Sequence, residues 1–249
     1  MSGDVCVILP VRDGAEWIAA ALQSVLAQAD RIAEICVIED GSRDGTPELL
    51  GRIAARQSRL RVIAGDGRGP AAARNLGLAA TRAPLVAFID ADDLWPPGKL
   101  DRQLARLDTD PALGIVSGLV RYFSRLEPGT LTPDRSEEPF ETAHVNLGAA
   151  VFRRAVFDAI GTFDEALTYS EDVDLLFRAI DAGIGLTVLP EATLWYRRHP
   201  GQMTHGSGEA EKRDFRAVMA RTAIRRRRLG IAAGRRLADF VETSTDAGA

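Results

Sequence analysis

The chain has 249 residues, of which 46% are hydrophobic and 27% are charged, and its formal net charge is −4. This composition suits one domain, or a domain with a small appendage, and excludes a mainly disordered chain, which would be poorer in apolar residues. The charge is uneven, −8 over residues 1–208 and +4 over residues 209–249, and the acidic body argues against nucleic acid as the main partner.

Strand-like and helical patterns alternate in the first half of the chain. Continuous apolar runs predict buried strands, and apolar residues at helical spacing predict helices. The predicted strands cover residues 5–11, 34–38, 60–64 and 85–89. The predicted helices cover residues 16–28 and 71–80, and a third begins at Thr46, which we expect to be an N-cap residue followed by Pro47.

The alternating order of these elements predicts parallel strands joined by helical crossovers. Ligands of open α/β sheets bind at the carboxyl ends of the strands. Charged and turn residues stand at three of these ends, namely Arg12-Asp13, Glu39-Asp40 and Asp90-Ala91-Asp92-Asp93. We therefore expect a binding site along this edge of the sheet.

The second half of the chain is patterned less regularly. Its polar segment 124–143 is expected to be a mobile surface loop, since loops of this length are uncommon unless they are functional or disordered. The predicted strands cover residues 114–123, 145–152, 186–189 and 193–196. The predicted helices cover residues 171–182 and 209–241, the second with a break at Gly230.

The signals that bear on location favour the cytoplasm. The N-terminus has no basic segment before an apolar run, so a secretory signal is not expected. The apolar stretches are far shorter than a membrane span. Cys6 and Cys36 stand inside apolar runs, and we expect them to be small buried side chains in a reducing compartment, neither a disulfide framework nor a metal cluster.

The strongest local signal for chemistry is Asp90-Ala91-Asp92-Asp93. Three carboxylates within four residues repel one another, and a divalent cation or a cationic ligand relieves that repulsion. Oxygen ligands suit Mg²⁺ or Mn²⁺. The alternative is a solvated loop or a helix N-terminus, where Asp is common. The position after a buried strand favours the functional interpretation.

Seven motifs follow one another in a fixed order along the chain. They are Pro10 with Asp13-Gly14, then EDGSRDGT at 39–46, GPAAARN at 69–75, DADD at 90–93, GTFDE at 161–165, EDVDL at 171–175 and YRRH at 196–199. With this set, the sequence resembles a family 2 glycosyltransferase of the GT-A fold over roughly residues 4–205. The resemblance implies an α/β fold with a Rossmann-like nucleotide-binding sheet, helices on both faces, mixed strands in the second half and a C-terminal helical tail.

The resemblance also implies an activity, the inverting transfer of a sugar from a nucleotide-diphospho-sugar to an acceptor hydroxyl. A UDP-sugar is the favoured donor, and a saccharide, a lipid-linked molecule or a small metabolite is the acceptor. The expected organisation is a catalytic domain over 1–208, with a donor half at 1–110 and an acceptor half at 111–208, before a basic helical tail at 209–249. The alternative from another class is a non-catalytic sugar-nucleotide-binding or accessory protein of the same fold.

Donor-binding roles are carried over from the family to matching positions. Asp40 corresponds to an acid that accepts a hydrogen bond from the nucleotide base, with an Asx turn as the alternative role. Arg74 corresponds to a contact with the nucleotide or the diphosphate, with an exposed ion pair as the alternative. The expected nucleotide-sugar-binding residues are Pro10, Arg12, Asp13, Asp40, Arg74, Asp90, Ala91, Asp92 and Glu171.

Metal-binding and catalytic roles follow in the same way. Asp92, Asp93 and His199 are expected to hold Mn²⁺ or Mg²⁺, which neutralises charge on the departing diphosphate. Asp172 corresponds to the catalytic base, which takes the proton of the acceptor hydroxyl. The alternatives are a surface position for His199 and, for Asp172, an acid that only favours the helix dipole.

Three further features have two interpretations each. Trp95 forms either a wall of the sugar or acceptor pocket or a cap packed on the sheet. Arg197 or Arg198 reaches the diphosphate, and the other forms a surface ion pair. The arginines at 225–228 and 235–236 favour a tail helix packed on the acidic body, with contact to an anionic membrane as the alternative.

Overall fold

A computed structural model describes residues 4–137, 140–203, 208–231 and 240–242. The predicted alternation of strands and helices is present in the first half. The strands are β1 (Val5–Val11), β2 (Ile32–Glu39), β3 (Leu60–Ala64) and β4 (Leu85–Phe88). The helices are α1 (Ile18–Leu26), α2 (Thr46–Ala54), α3 (Pro70–Ala80) and α4 (Lys99–Thr109).

The second half contains shorter and more varied elements. Its strands are β5 (Leu113–Phe123), β6 (Phe140–Thr142), β7 (Val151–Arg153) and β8 (Gly185–Arg197). Its helices are α5 (Arg154–Ile160), α6 (Glu171–Asp181) and α7 (Gly208–Leu229). The chain therefore continues the predicted α/β pattern, with mixed strands in this half.

The eight strands of the described residues form one sheet in the order β3-β2-β1-β4-β7-β5-β6, and β8 pairs with β5. Strands β1 to β4 are parallel, as predicted. Strand β7 is antiparallel to both β4 and β5, so β5 runs in the same direction as β4. Strand β8 is parallel to β5. The carboxyl ends of β1, β2, β4, β5 and β8 consequently lie along one edge of the sheet.

Side chains alternate between the two faces of the central strands, and each face is covered by helices. Val7 and Leu9 of β1 belong to a buried cluster with α1 and α4. Cys6 and Ile8 belong to a second cluster with α3 and α6. Cys36 joins that second cluster, with its Sγ 3.8 Å from that of Cys6. The expectation of two buried, unbridged cysteines is confirmed.

Several predicted elements differ in detail. Residues 145–152 were predicted as a strand, but the structure has a single 3₁₀ turn at Leu147–Ala149 followed by β7. The predicted loop at 124–143 contains β6, and the two short strands predicted at 186–196 are one strand, β8, with shifts in its register against β5. Helices α4 and α5 were not predicted.

Thr46 is the first residue of α2, and its N-cap is Gly45. Its hydroxyl does not cap the helix. Instead the Oγ1 atom accepts a hydrogen bond from the backbone N–H of Gly14 and donates to Asp44. The side chain predicted to cap α2 therefore fixes the loop after β1 to the start of the helix.

The tail helix α7 packs on the body of the protein. Asp181 of α6 is almost completely buried and accepts hydrogen bonds from both Arg225 and Arg226. Arg221 forms an ion pair with Asp164. Gly230 has φ +68° just after α7, as the predicted break requires. Residues 232–239, including Arg235 and Arg236, lie outside the described residues.

A short C-terminal segment adds to the free side of β8. Val241 forms a parallel bridge with Val188, and the N–H of Glu242 donates to the Val188 carbonyl oxygen at 2.9 Å. The Glu242 carboxylate accepts from Thr187 and from Arg106 of α4. Within the described ranges, no helix is both long and apolar enough to cross a membrane.

Candidate functional site

The loops after β1 and β2 are tied together at the predicted edge. Asp13 has φ +54°, its N–H donates to Ser42 Oγ, and its carboxylate accepts from the N–H of Arg43. Arg12 is exposed beside it. Pro10 lies within β1, opposite Ile38 of β2. The first predicted donor-binding residues thus share one small region of the sheet edge.

Asp40 is buried and organises the loop that follows β3. Its two carboxylate oxygens accept hydrogen bonds from the N–H groups of Gly67 and Gly69, each at 2.9 Å. Gly65 lies so close that a Cβ atom there would be 2.5 Å from Asp40 Oδ1. Each carboxylate oxygen keeps a second lone pair, which can accept a hydrogen bond from a ligand.

The turn after β2 is closed by a residue that had no assigned role. Glu39 Oε1 accepts a hydrogen bond from the N–H of Ser42 at 2.6 Å. The turn suggested as the alternative role of Asp40 is therefore made by Glu39, which leaves the Asp40 carboxylate to the β3 loop.

Arg74 of α3 is buried between two acidic residues from distant parts of the chain. Its Nη2 donates to Asp90 Oδ1 at 2.7 Å, and its Nη1 donates to Glu171 Oε1 at 2.5 Å. Only 6% of the Arg74 side chain is exposed, so the interpretation as an exposed ion pair is wrong. This guanidinium joins the acidic loop after β4 to the first residue of α6.

Asp172, the second residue of α6, is partly buried beside this pair. Asp172 lines a cavity together with Ser117, His144 and Asn146 and with apolar residues of β5, β7 and α6. Burial, and then the charge of Glu171, raise the pKa of Asp172 to about 7, against the opposing effects of the Val173 N–H and Arg74. A carboxyl group with this pKa can take up and release a proton near neutral pH.

The acidic loop meets the segment that follows β8. His199 Nε2 lies 3.0 Å from Asp92 Oδ2, and the His199 ring packs against Trp17 with ring centroids 4.9 Å apart. Burial, and then the neighbouring Asp90, raise the pKa of Asp92, while His199 opposes this shift. The alternative prediction, a surface position for His199, is wrong, because its side chain is only 13% exposed.

Asp93 is buried more deeply than Asp92 and His199, with 1% of its surface exposed. Its Oδ1 accepts from the N–H of Arg197, and its Oδ2 has no hydrogen-bond partner among the described residues. Burial, and then the charge of Asp92, raise the pKa of Asp93 well above its usual range. Asp92 and His199 meet as an oxygen and a nitrogen donor of the kind that binds a divalent cation, whereas no third residue of the acidic loop lies with them in a group of ligand atoms within 4.8 Å of one another. Ala91 lies between the first two acids and is partly buried.

Trp95 and Arg197 are buried residues that support the candidate site. Trp95 is 2% exposed and donates from Nε1 to the carbonyl oxygen of Gly148, so the interpretation as a cap on the sheet is confirmed. Arg197 is buried, donates to the Asp92 carbonyl oxygen, and lies over the rings of Trp17 and Phe123. Arg197 therefore helps to hold the acidic loop in place.

Two further residues hold the site together and had no predicted role. Asn75, next to Arg74, both accepts from the N–H and donates to the carbonyl oxygen of Phe163. Arg178 of α6 pairs with Asp174 and donates to carbonyl oxygens of Ile160 and Thr162. The motif at 161–165 therefore joins α3 to α6. In the sequence, the place of this motif between the acidic loop and α6 was the one signal that it belongs to the site.

Comparison with known proteins gives this arrangement a family. The sequence profile of Glycosyl transferase family 2 matches residues 6–161. The chain belongs to glycosyl transferase family 2. Its relatives include the succinoglycan biosynthesis protein ExoO of Rhizobium meliloti (strain 1021), which is 34% identical over 81% of this chain and 62% of its own length.

A second relative is the succinoglycan biosynthesis protein ExoU of the same organism, 30% identical over 72% of this chain and 58% of its own length. The chain thus spans about three fifths of the length of these relatives. Both are called biosynthesis proteins of succinoglycan.

Solved structures confirm the predicted GT-A fold. S. aureus TarS 1–349 in complex with UDP-GlcNAc has a TM-score of 0.68 at 21% identity, covering 89% of this chain and 66% of TarS. The mannosyltransferase PcManGT from Pyrobaculum calidifontis, in complex with GDP-Man and Mn²⁺, has a TM-score of 0.70 at 21% identity, covering 90% of this chain and 65% of its own.

Proposed function

We propose that this family 2 protein is an inverting glycosyltransferase that uses a nucleotide-diphospho-sugar. The observation that carries the proposal is the position of Arg74, which binds Asp90 on one side and Glu171 on the other. This contact brings Asp172, a carboxyl group with a pKa of about 7, next to the acidic loop. A proton acceptor and a site for a charged donor therefore lie side by side.

Asp172 is the proposed general base. Its carboxylate takes the proton of the acceptor hydroxyl while the hydroxyl oxygen bonds to the anomeric carbon of the donor sugar. The bond from that carbon to the diphosphate oxygen breaks, and its electron pair leaves with the diphosphate. One displacement of this kind inverts the configuration of the anomeric carbon. The Val173 N–H donates to Asp172 Oδ1 at 2.7 Å, and the Arg74–Glu171 contact secures the start of α6 that carries this carboxylate.

The donor lies along the carboxyl ends of β1, β2 and β4 in this proposal. Asp40 accepts a hydrogen bond from the base through its remaining lone pairs, which favours the N3–H of uracil. Pro10, Arg12, Asp13, Ala91 and Glu171 complete the proposed donor-binding set. Arg74 has both Nη atoms engaged, so we assign it to positioning Asp90 and Glu171. A UDP-sugar donor agrees with the UDP-GlcNAc complex of TarS, and a GDP-sugar would agree with that of PcManGT.

Asp92 and His199 fit a divalent cation, Mn²⁺ or Mg²⁺, because an imidazole nitrogen and a carboxylate oxygen already meet there at 3.0 Å. Asp93, also predicted as a ligand, does not form with them a group of three ligand atoms within 4.8 Å of one another, so Asp92 and His199 are the pair that would hold the cation. When bound, the cation stabilises negative charge on the departing diphosphate. Asp90 remains bound to Arg74 and is assigned to the donor instead.

The acceptor belongs to the second half of the proposed catalytic domain at 1–208. A saccharide, a lipid-linked molecule or a small metabolite each offers the hydroxyl that the reaction needs. The similarity to ExoO and ExoU, which are named as succinoglycan biosynthesis proteins, supports a saccharide acceptor. A cytoplasmic location stays a prediction from the sequence.

Calorimetry with nucleotides tests the donor site. UDP, dTDP, GDP and CMP are titrated with and without Mn²⁺ into the wild-type protein and into Asp92→Ala. We expect one nucleoside diphosphate to bind tightly only with the metal, and the substitution to abolish that binding. Absence of binding by all four would remove the donor site from the proposal. Binding without turnover of any donor would favour the non-catalytic sugar-nucleotide-binding alternative.

A further inference from the structure

Two cysteines and a glutamate converge on one face of the sheet, at strands β1 and β2. Cys6 of β1 stands directly opposite Glu34 of β2, and Cys36 follows two residues after Glu34, so all three side chains point to the face covered by α3. Cys6 Sγ lies 3.8 Å from Cys36 Sγ, which in turn lies 3.8 Å from Glu34 Oε2. We name these three residues the thiol cluster.

The thiol cluster has the composition and the closeness of a metal site. Its three ligand atoms, one from each side chain, all lie within 4.8 Å of one another. No other set of three His, Cys, Asp or Glu side chains among the described residues meets that limit. Two sulfur donors with one carboxylate suit Zn²⁺, whereas Mg²⁺ and Mn²⁺ prefer oxygen ligands.

The spacing of the two sulfur atoms matches tetrahedral zinc. Two thiolates bound to one Zn²⁺ at about 2.3 Å each lie about 3.8 Å apart when the angle between the bonds is tetrahedral. The observed distance between Cys6 Sγ and Cys36 Sγ is 3.8 Å. A carboxylate oxygen on the same cation would lie about 3.5 Å from each sulfur, close to the 3.8 Å between Glu34 Oε2 and Cys36 Sγ. Small side-chain shifts therefore suffice to hold the cation.

A disulfide between the two cysteines fits this geometry less well. Cys6 pairs with Glu34 and Cys36 pairs with Ile8, so the cysteines are offset by two residues on neighbouring parallel strands. With strands about 4.8 Å apart and a rise of about 3.3 Å per residue, their Cα atoms lie roughly 8 Å apart. A disulfide spans at most about 7 Å between Cα atoms unless the backbone moves. A cation between the sulfur atoms requires no such movement.

The surroundings of the thiol cluster favour positive charge. Arg61 of β3 donates from Nη2 to Glu34 Oε2 and to the Ala80 carbonyl oxygen, each at 2.9 Å, and this nitrogen lies 3.4 Å from Cys36 Sγ. Ala80 is the last residue of α3, and the C-terminal end of a helix carries partial negative charge. The Arg61 side chain is 50% exposed, so it can turn toward solvent and open a path to the buried sulfur atoms.

We propose that Cys6, Glu34 and Cys36 form a zinc site that is separate from the donor site. The cation bonds to both sulfur atoms and to one carboxylate oxygen, and water occupies the fourth position. Each thiol releases its proton to the solvent, so two protons leave as Zn²⁺ enters and the charge of the site is unchanged. The Glu34 carboxylate keeps lone pairs for the cation beside its hydrogen bonds from Arg61 and Thr81.

The proposed cation links β1 to β2 far from the candidate donor edge. Cys6 is the second residue of β1, whereas Arg12 and Asp13 follow the last residue of that strand. A cation that binds only the folded protein stabilises the fold. This proposal departs from the expectation that the two cysteines belong to no metal cluster, because the register of β1 against β2 adds Glu34 to them.

Ultraviolet absorption with Cd²⁺ as a substitute for Zn²⁺ tests the site. A cadmium–thiolate bond absorbs in the ultraviolet, and cadmium held by Asp92 and His199 has no sulfur ligand. Reduced, metal-free wild-type protein is titrated with cadmium chloride in excess Mg²⁺, and the absorption should rise to a limit at one cation per chain. Cys36→Ser should abolish the absorption, and Glu34→Gln should weaken Cd²⁺ binding about tenfold or more.

Two control variants accompany these. Glu48→Gln changes an exposed acid of α2, and His199→Gln impairs the other candidate metal site. Both should show the cadmium–thiolate absorption of the wild type. Absence of this absorption in the wild-type protein would overturn the proposal. Full absorption in Cys36→Ser, or equal Cd²⁺ affinities of Glu34→Gln and the wild type, would overturn the three-ligand site as well.

Thermal unfolding with Zn²⁺ provides a measurement that does not depend on the folding of Cys36→Ser. Glu34 is partly exposed, with 26% of its side chain accessible, so Glu34→Gln is a mild change. Zn²⁺ should raise the Tm of His199→Gln, and it should raise the Tm of the double variant His199→Gln/Glu34→Gln by less. An equal rise in the two proteins, or no rise in His199→Gln, would overturn the proposal.

Discussion

His199 Nε2 lies 3.0 Å from Asp92 Oδ2, although the two residues are 107 positions apart in the chain. Their contact requires that β8 end at the same edge of the sheet as β4, which follows from the strand directions. The contact places the His199 side chain next to the acidic loop. The contribution of His199 to metal binding can therefore be measured.

Replacement of His199 by Gln should weaken the apparent affinity for Mn²⁺ about tenfold or more, because one nitrogen ligand is lost. The measurement is nucleotide binding by calorimetry over a series of Mn²⁺ concentrations. Asp101→Asn, an exposed acid of α4 paired with Arg31, is the control and should not change the metal dependence. An unchanged Mn²⁺ requirement in His199→Gln would remove this residue from the metal site.

Asp172→Asn should lower the rate of sugar transfer about 10²–10⁴-fold, the usual contribution of a general base. Donor binding should change little, because the amide preserves the size of the side chain. Single-turnover assays and calorimetry measure the two quantities. Asp158→Asn, an exposed acid of α5, should retain full activity. Transfer at the wild-type rate by Asp172→Asn would contradict the assignment.

The rate of transfer should rise with pH through about pH 7, since Asp172 acts as the base only when its carboxyl group is ionised. Glu171 is the charge that raises this pKa after burial, so Glu171→Gln should move the acidic limb of the kcat/KM profile to lower pH. The profile is measured from pH 5 to pH 9. A limb that moves to higher pH would show that the charge of Glu171 does not govern Asp172.

The thermal stability of the protein should also reflect this carboxyl group. The folded-state pKa of Asp172 is raised to about 7, so its contribution to stability is present at low pH and is lost as the pH rises toward and through that value. Asp172→Asn carries no charge to bury. Its Tm relative to the wild type should therefore be higher at pH 8 than at pH 5. Differential scanning calorimetry at the two pH values measures this, and equal differences would argue against the raised pKa.

Gly65→Ala should weaken nucleotide binding about tenfold. The added Cβ would lie 2.5 Å from Asp40 Oδ1, so the carboxylate must move away from the Gly67 and Gly69 N–H groups. Gly51→Ala in α2 is the matched control, because nothing lies within 4 Å of its Cβ position and Ala favours a helix. Equal affinities of the two variants would show that Asp40 does not contribute to the nucleotide site.

The first half of the fold was predictable because its strands are continuous apolar runs. β1 and β3 have the predicted bounds, and their parallel pairing follows from the helices between them. Helix α4 was missed, although Leu100, Leu104 and Leu107 have helical spacing. Strand β8 was divided in two because Pro190 and Glu191 interrupt its apolar pattern at the point where its register against β5 shifts.

The residues of the candidate site were predictable from their motifs, but their partners were not. The buried contact from Arg74 to Glu171 joins positions 97 residues apart, and nothing local to GPAAARN indicates burial. Glu39 was left without a role because a glutamate at this position departs from the family's commoner aspartate. The pairing of Tyr122 with Phe140 and Tyr196 depends on the register of three strands, which no single segment specifies.

The segment at 240–242 determines what the outer side of β8 presents to other molecules. Without it, the backbone N–H and C=O groups around Val188 would form an open strand edge, the kind of surface on which a second chain can add a strand. Val241 occupies that position, and Glu242 is secured there by Thr187 and Arg106. Three residues far from the candidate site thus cover the backbone of β8 around Val188, so that a second chain meets no open strand edge there.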